Sequence, residues 1–149
     1  MAIGNTEVIA KMVKDVTSGD LLRIDTTKPY PEDYEETTEV AGQELRSNAR
    51  PALLNHVLDM GAYQVVFLGY PNWWGTTPMA VRTFLEEYDF SGKTIVPFCT
   101  HKGSGLGNSV RDITKLCPRA ELANAIAFHG TNVKNARKEV ESWIQELQK

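Results

Sequence analysis

Tyr63-Gln64-Val65-Val66-Phe67-Leu68-Gly69-Tyr70, followed at once by Pro71-Asn72-Trp73-Trp74-Gly75-Thr76-Thr77-Pro78, decides how this chain folds. The first eight residues are β-branched, aromatic and almost all apolar, which suits a parallel strand buried on both faces. The next eight form a loop bounded by prolines. Two adjacent indoles cannot both face one core, so at least one leans over the surface, where it suits stacking on an aromatic ligand. The competing reading has both tryptophans plugging the loop onto the sheet edge.

Outward from this strand, apolar periodicity alternates between strands and helices. Asn5 to Val16 places Val8, Ile9, Met12, Val13 and Val16 on one helical face, with Asn5 or Thr6 as its cap. Leu21-Leu22-Arg23-Ile24 reads as a short strand, Lys28 to Asp33 as a turn-rich connection, and Tyr34 to Ser47 as a polar helix. Met79 to Tyr88 is helical, and Thr94 to Thr100 is a strand weakened by Pro97, which removes a ladder donor. Val110, Ile113 and Leu116 mark a helix that ends before Pro118. Ala123 to His129 is a last strand, and Val133 to Gln148 a last helix with Val133, Ala136, Val140, Trp143, Ile144 and Leu147 on one stripe.

Strands alternating with helices predict right-handed crossovers and an α/β fold, a parallel sheet covered on both faces. The 149 residues suffice for one compact domain spanning the chain. A net charge of −3 disfavours a nucleic-acid partner, because phosphate binding wants a basic face. No apolar run approaches the roughly 20 residues that span a bilayer, and no signal peptide is recognisable, so the cytoplasm is the expected location. Cys99 and Cys117 form no C-x-x-C pair, and no metal site is expected; two free core thiols are the simpler reading.

Ligands of open parallel sheets bind beyond the carboxyl ends of the strands, so the loops there carry the functional argument. After Thr94 to Thr100 comes Thr100-His101-Lys102-Gly103-Ser104-Gly105-Leu106-Gly107-Asn108-Ser109. Its glycines let backbone N–H groups approach a ligand closely, although a flexible loop ending in a cap has the same composition. The order of glycines is not that of a dinucleotide fingerprint. His101 is either a donor to a cofactor carbonyl or a solvated loop histidine. Gly4-Asn5-Thr6-Glu7 leads into the first helix, whose free N–H groups offer a phosphate seat; an ordinary cap reads the same way.

Together these segments resemble the flavodoxin family, in particular short flavodoxins with a Trp-Trp-Gly loop. The resemblance rests on Gly4 to Glu7, Gly69 to Thr76, Phe84 to Lys93 and Thr100 to Ser109, and it covers essentially the whole chain. It implies a flavodoxin-like three-layer sandwich with strand order 2-1-3-4-5 and noncovalently held FMN. Gly4, Asn5 and Thr6 would cradle the phosphate. Pro71, Asn72, Trp73, Trp74, Gly75 and Thr76 would cover one flavin face, and Thr100, His101, Gly103, Ser104, Gly105 and Gly107 would hold the ring's polar edge.

The family opens with an apolar strand and a loop resembling Ser/Thr-x-Thr-Gly-Asn-Thr. Here Met1-Ala2-Ile3 stand inside that loop, so the first strand is missing and Met1 and Ile3 replace hydroxyls. Three outcomes are open: a four-stranded sheet, a second chain that supplies the contact, or a truncated form of a longer protein; the four-stranded sheet is the favoured expectation, with a homodimer through the edge that the missing strand exposes as an option. The function implied is electron transfer, FMN cycling between oxidised, semiquinone and reduced forms in exchange with redox partner proteins. Glu86, Glu87 and Asp89 are candidates for steering a basic partner at the flavin edge. Two alternatives stand beside it: an NAD(P)H-dependent FMN or quinone reductase on the same fold, and a degenerate flavodoxin that binds no FMN and acts as an interaction module.

Overall fold

The computed structural model describes residues 4–147; Met1 to Ile3, part of the expected phosphate loop, and Gln148, the expected end of the last helix, lie outside them. Strand β1 (Val65–Pro71) is followed by α3 (Met79–Glu87), β2 (Thr94–His101), α4 (Ser109–Leu116), β3 (Glu121–Leu122) and β4 (Ile126–His129). Ahead of β1 come α1 (Asn5–Thr17) and α2 (Tyr34–Ser47), and α5 (Arg137–Leu147) follows β4. All strand pairs are parallel: β2 is central, with β1 on one side and both β3 and β4 on the other.

Alternation along β2 sorts the core into two layers. Ile95 and Cys99 join Leu68 and Tyr70 of β1 beneath α3 and α4, with Val81, Phe84, Leu85 and Ile113. Val96 and Phe98 face the other way, against Ile9 and Val13 of α1 and Val140, Trp143 and Ile144 of α5. The result is the flavodoxin-like three-layer α/β sandwich with four parallel strands. Gly69 serves this packing directly, because a Cβ there would lie 2.2 Å from the Phe98 ring.

The membership of the sheet differs from expectation at two places. Leu21 to Ile24 is not a strand: Leu21 and Leu22 are 39% and 36% exposed, and no ladder forms. A strand at that position needs a neighbour between itself and β1, and among the described residues none pairs with that edge of β1. Instead the chain crosses by one isolated antiparallel bridge, Thr26 with Leu53.

The last strand, expected over Ala123 to His129, forms only at Ile126–His129 as β4, and a separate two-residue strand, β3, pairs ahead of it at Glu121–Leu122. The gap falls beside Pro97, which has no N–H for a ladder. Asn124 turns into left-handed backbone there (φ 40°), and its carbonyl accepts the Trp143 indole N–H at 2.6 Å. Likewise, Val133 sits in a 3₁₀ turn (Gly130–Asn135) with Ala136 just after it, ahead of α5, yet both remain buried as the helical stripe required.

Cys99 and Cys117 are free and buried. Burial pushes the Cys99 thiol up to about 12, and burial with the nearby Glu86 carboxylate raises Cys117.

Candidate cofactor site

The loop after β1 is a tight hairpin. Trp73 N–H donates to Thr76 O (3.0 Å) and Thr76 N–H to Trp73 O (3.3 Å), with Trp74 and Gly75 between them at φ 57° and 82°. Positive φ at both central positions defines a type I′ turn, which glycine accepts freely and tryptophan does not. The side chain of Asn72 braces it from within, Oδ1 accepting from Gly75 N–H at 2.9 Å.

The loop after β2 is stitched to this turn. Asn72 Nδ2 donates to Gly105 O at 2.8 Å, and Asn108 N–H donates to Gly75 O at 2.7 Å. Gly107 permits the approach, since a Cβ there would lie 2.4 Å from Gly75 O. Gly103 and Gly105 also have positive φ, with open space where a side chain would stand. Ser104 is exposed between them. Beyond it, Ser109 accepts from the buried Tyr70 hydroxyl at 2.8 Å and donates to Leu106 O at 2.6 Å.

Thr100 joins all three expected segments. Its carbonyl accepts from Asn72 N–H at 2.8 Å, its Cα pairs with Pro71 across the sheet, and its hydroxyl meets that of Thr6 at 2.7 Å. Thr6 lies in the first turn of α1, where Gly4 is the extended N-cap and supplies no side-chain bond. The N–H groups of Asn5, Thr6 and Glu7 therefore stand at a helix start that no side chain among the described residues caps. Asn5 packs against Gly130, where a Cβ would approach its amide to 2.7 Å.

Both indoles have protein partners. Trp73 meets the Tyr30 ring edge-on, centroids 5.2 Å apart, and the Tyr30 hydroxyl donates to Glu44 at 2.7 Å. Trp74 lays its ring over Gly42 of α2 and donates its N–H to Thr38 O at 2.9 Å, yet the residue remains 57% exposed. A glycine in the middle of a helix, Gly42, is the signal in the sequence that announces such a contact. The Thr77 hydroxyl is buried behind the turn without a partner among the described residues.

His101 lies beside His129 at the ends of β2 and β4, ring centroids 5.3 Å apart. His101 Nδ1 accepts from Gly103 N–H at 2.8 Å, which puts the proton of the neutral ring on Nε2. Burial, and then His129, lower its pKa below the usual 6.5. Both rings line a cleft of about 470 Å³ with Asn132, Asn135 and Glu139. None of the residues from Pro71 to Thr76 lines that cleft.

The acidic residues expected at the flavin edge lie elsewhere. Because α3 runs back along the sheet, its end carries Glu86 and Glu87 toward the amino ends of the strands, opposite the loops. There Glu86 pairs with Arg50, Glu87 with His56 at 3.0 Å, and Asp89 accepts from Ser91 N–H at 2.9 Å.

The flavodoxin sequence family matches residues 1–147. The chain belongs to the flavodoxin family. No match is found among the curated proteins. Among solved structures, this flavodoxin is similar to a candidate flavoprotein from Bacteroides uniformis ATCC 8492, with 28% identity, TM-score 0.84, and 97% and 93% of the two chains covered. It is similar too to one from Bacteroides eggerthii DSM 20697, with 29% identity, TM-score 0.77, and 94% and 92% covered. A Lactobacillus acidophilus NCFM flavoprotein in complex with FMN shares the fold at 16% identity, TM-score 0.58, with 84% and 87% covered.

The residues present fit the family's cofactor. The start of α1 suits a phosphate, the open glycines of the second loop suit close backbone donation, and the exposed Trp74 suits an aromatic ring. No helix among the described residues is long and apolar enough to cross a membrane.

Proposed function

We propose that this flavodoxin binds FMN across Thr100 and serves as an electron carrier. The observation that carries the reading is the meeting of three elements at one residue: the α1 start through Thr6, the tryptophan turn through Asn72, and the glycine loop that Thr100 begins. Gly4, Asn5 and Thr6 hold the phosphate with backbone N–H groups and one hydroxyl. The turn from Pro71 to Thr76 flanks the ring, and the loop from His101 to Gly107 donates to its polar edge. FMN, when bound, supplies chemistry in one- and two-electron steps. The protein's part is to hold the ring, limit water around it and leave one edge open to partners.

The partners in this reading are a donor and an acceptor protein that exchange electrons at that edge. A second copy of the chain is the further partner, paired along the uncovered edge of β1, where Val65 is 48% exposed.

Titration of the apoprotein with FMN, followed by loss of flavin fluorescence, tests the first half. Quenching by FMN that exceeds quenching by riboflavin supports the phosphate seat; a flavin that stays fluorescent in excess protein overturns it. Anaerobic reduction followed by mixing with an oxidised c-type cytochrome tests the second half. Rapid transfer supports a carrier, whereas bleaching of the flavin by NADPH alone points to a reductase.

A further inference from the structure

Thr76 closes the tryptophan turn, and its side chain is out of solvent at 4% exposure. Its hydroxyl donates to the Asp112 carboxylate, and Arg82 reaches both, 3.1 Å to Asp112 and 3.2 Å to Thr76. Arg82 and Asp112 are themselves only 15% and 14% exposed, and the Arg82 Nε is buried without a partner among the described residues. Asp112 stands one turn into α4, its N–H bonded to Asn108 O at 3.0 Å. Asn108 in turn gives its N–H to Gly75 O at 2.7 Å. The first turn of α4 thus grips the tryptophan turn twice, by backbone at Gly75 and by side chain at Thr76.

We propose that Asp112, held by Arg82, is a positioning residue that sets the tryptophan turn against the cofactor; this rests on the FMN reading above. The turn needs such a grip. Trp74 occupies left-handed backbone, which is strained in an L-residue and persists only where surrounding contacts over-determine it. A carboxylate shared between a hydroxyl and two guanidiniums, the enclosed Arg82 and, at 3.4 Å, the exposed Arg111, fixes Thr76 in one rotamer, and with it the closing pair of the hairpin. An exposed ion pair contributes little, but one so enclosed leaves a stranded charge when a partner is removed. Asp112→Asn therefore disturbs α3–α4 packing as well as the turn, and Thr76→Val is the variant that isolates the turn.

The test is a double-mutant cycle in FMN affinity with Thr76→Val, Asp112→Asn and the pair. Thr76→Val removes the grip on the turn and leaves Arg82 its carboxylate, so the fold persists in that variant. Each single change is expected to weaken FMN binding about tenfold, and the pair no further, because coupled residues are non-additive. Losses that multiply in the double variant, or an Asp112→Asn protein that binds FMN as the wild type does, overturn the proposal. A second readout needs no cofactor: the indole N–H of Trp74, bonded to Thr38 O at 2.9 Å, reports the turn by NMR in the apoprotein. Thr76→Val should shift that resonance and speed its exchange; an unmoved resonance counts against the grip. If wild type fails to bind FMN, the cofactor part of this proposal falls with that reading, and the indole measurement, made on Thr76→Val and Asp112→Asn alike, still decides whether Asp112 holds the turn.

Discussion

The hydroxyls of Thr6 and Thr100 meet at 2.7 Å across 94 residues of sequence, tying the start of α1 to the end of the central strand. Thr100 is 4% exposed, so its hydroxyl has no water to turn to when Thr6 is gone. Thr6→Val should therefore cost about 1–3 kcal/mol, the penalty of a stranded buried hydroxyl. Urea unfolding of the apoprotein measures it. FMN affinity should fall too, because the same change removes a hydroxyl from the phosphate seat.

Gly107→Ala is expected to separate the two loops. The new Cβ would lie 2.4 Å from Gly75 O, and φ at this residue is +54°. The backbone strain alone is worth about 1–2 kcal/mol. Isothermal titration should show FMN binding reduced at least tenfold, with the far-ultraviolet circular dichroism unchanged.

His101 gives the glycine loop a pH dependence. Its pKa is lowered in the fold, so the unfolded chain takes up the proton first. Stability therefore falls as pH drops through 6.5 toward the lower folded value, and is intact above it. Protonation also removes the Nδ1 acceptor of the Gly103 N–H. Proton NMR of the His101 ring should titrate below 6.5, and the protection of the Gly103 amide, relative to its intrinsic exchange rate at each pH, should fall over the same range. A midpoint at or above 6.5 would contradict this.

Neither cysteine should react with a thiol reagent in the native protein. Cys99 is wholly buried with its thiol pushed up to about 12, and Cys117 is 6% exposed with its thiol raised. The thiolate is the reactive form, so aromatic disulfide reagents should titrate no thiol until denaturant is added, and then both.

A dimer through β1 predicts a concentration-dependent mass. Light scattering on the eluting protein should give twice the chain mass of 16.6 kDa at high concentration, and Val65→Lys should return it to one. A single mass at every concentration removes the dimer.

What was legible in the sequence follows from how local the signal is. The strand from Tyr63 and the helices from Asn5, Tyr34 and Met79 announce themselves by their own periodicity, and all four form within a few residues of the expected bounds. Leu21 to Ile24 has the composition of a strand and lacks the neighbour that makes one. The break in the last strand is dictated by Pro97, on a different strand. The site divides in the same way. The glycines and tryptophans are visible as unusual residues in loops, whereas Asp112, Arg82 and Tyr30 look like any helical charge or loop aromatic until the chain brings them to the turn.

The interruption between β3 and β4 has a bearing on aggregation. A sheet has two borders, and an intact border is a template on which further chains add without limit. Here the border beyond β2 is cut into pieces of two and four residues by Asn124 and its neighbours, too short to seed growth. Two copies joined along β1 would bury both continuous borders and show solvent only the broken ones. Such an association stops at two, where an unbroken last strand would let it run on into a fibre.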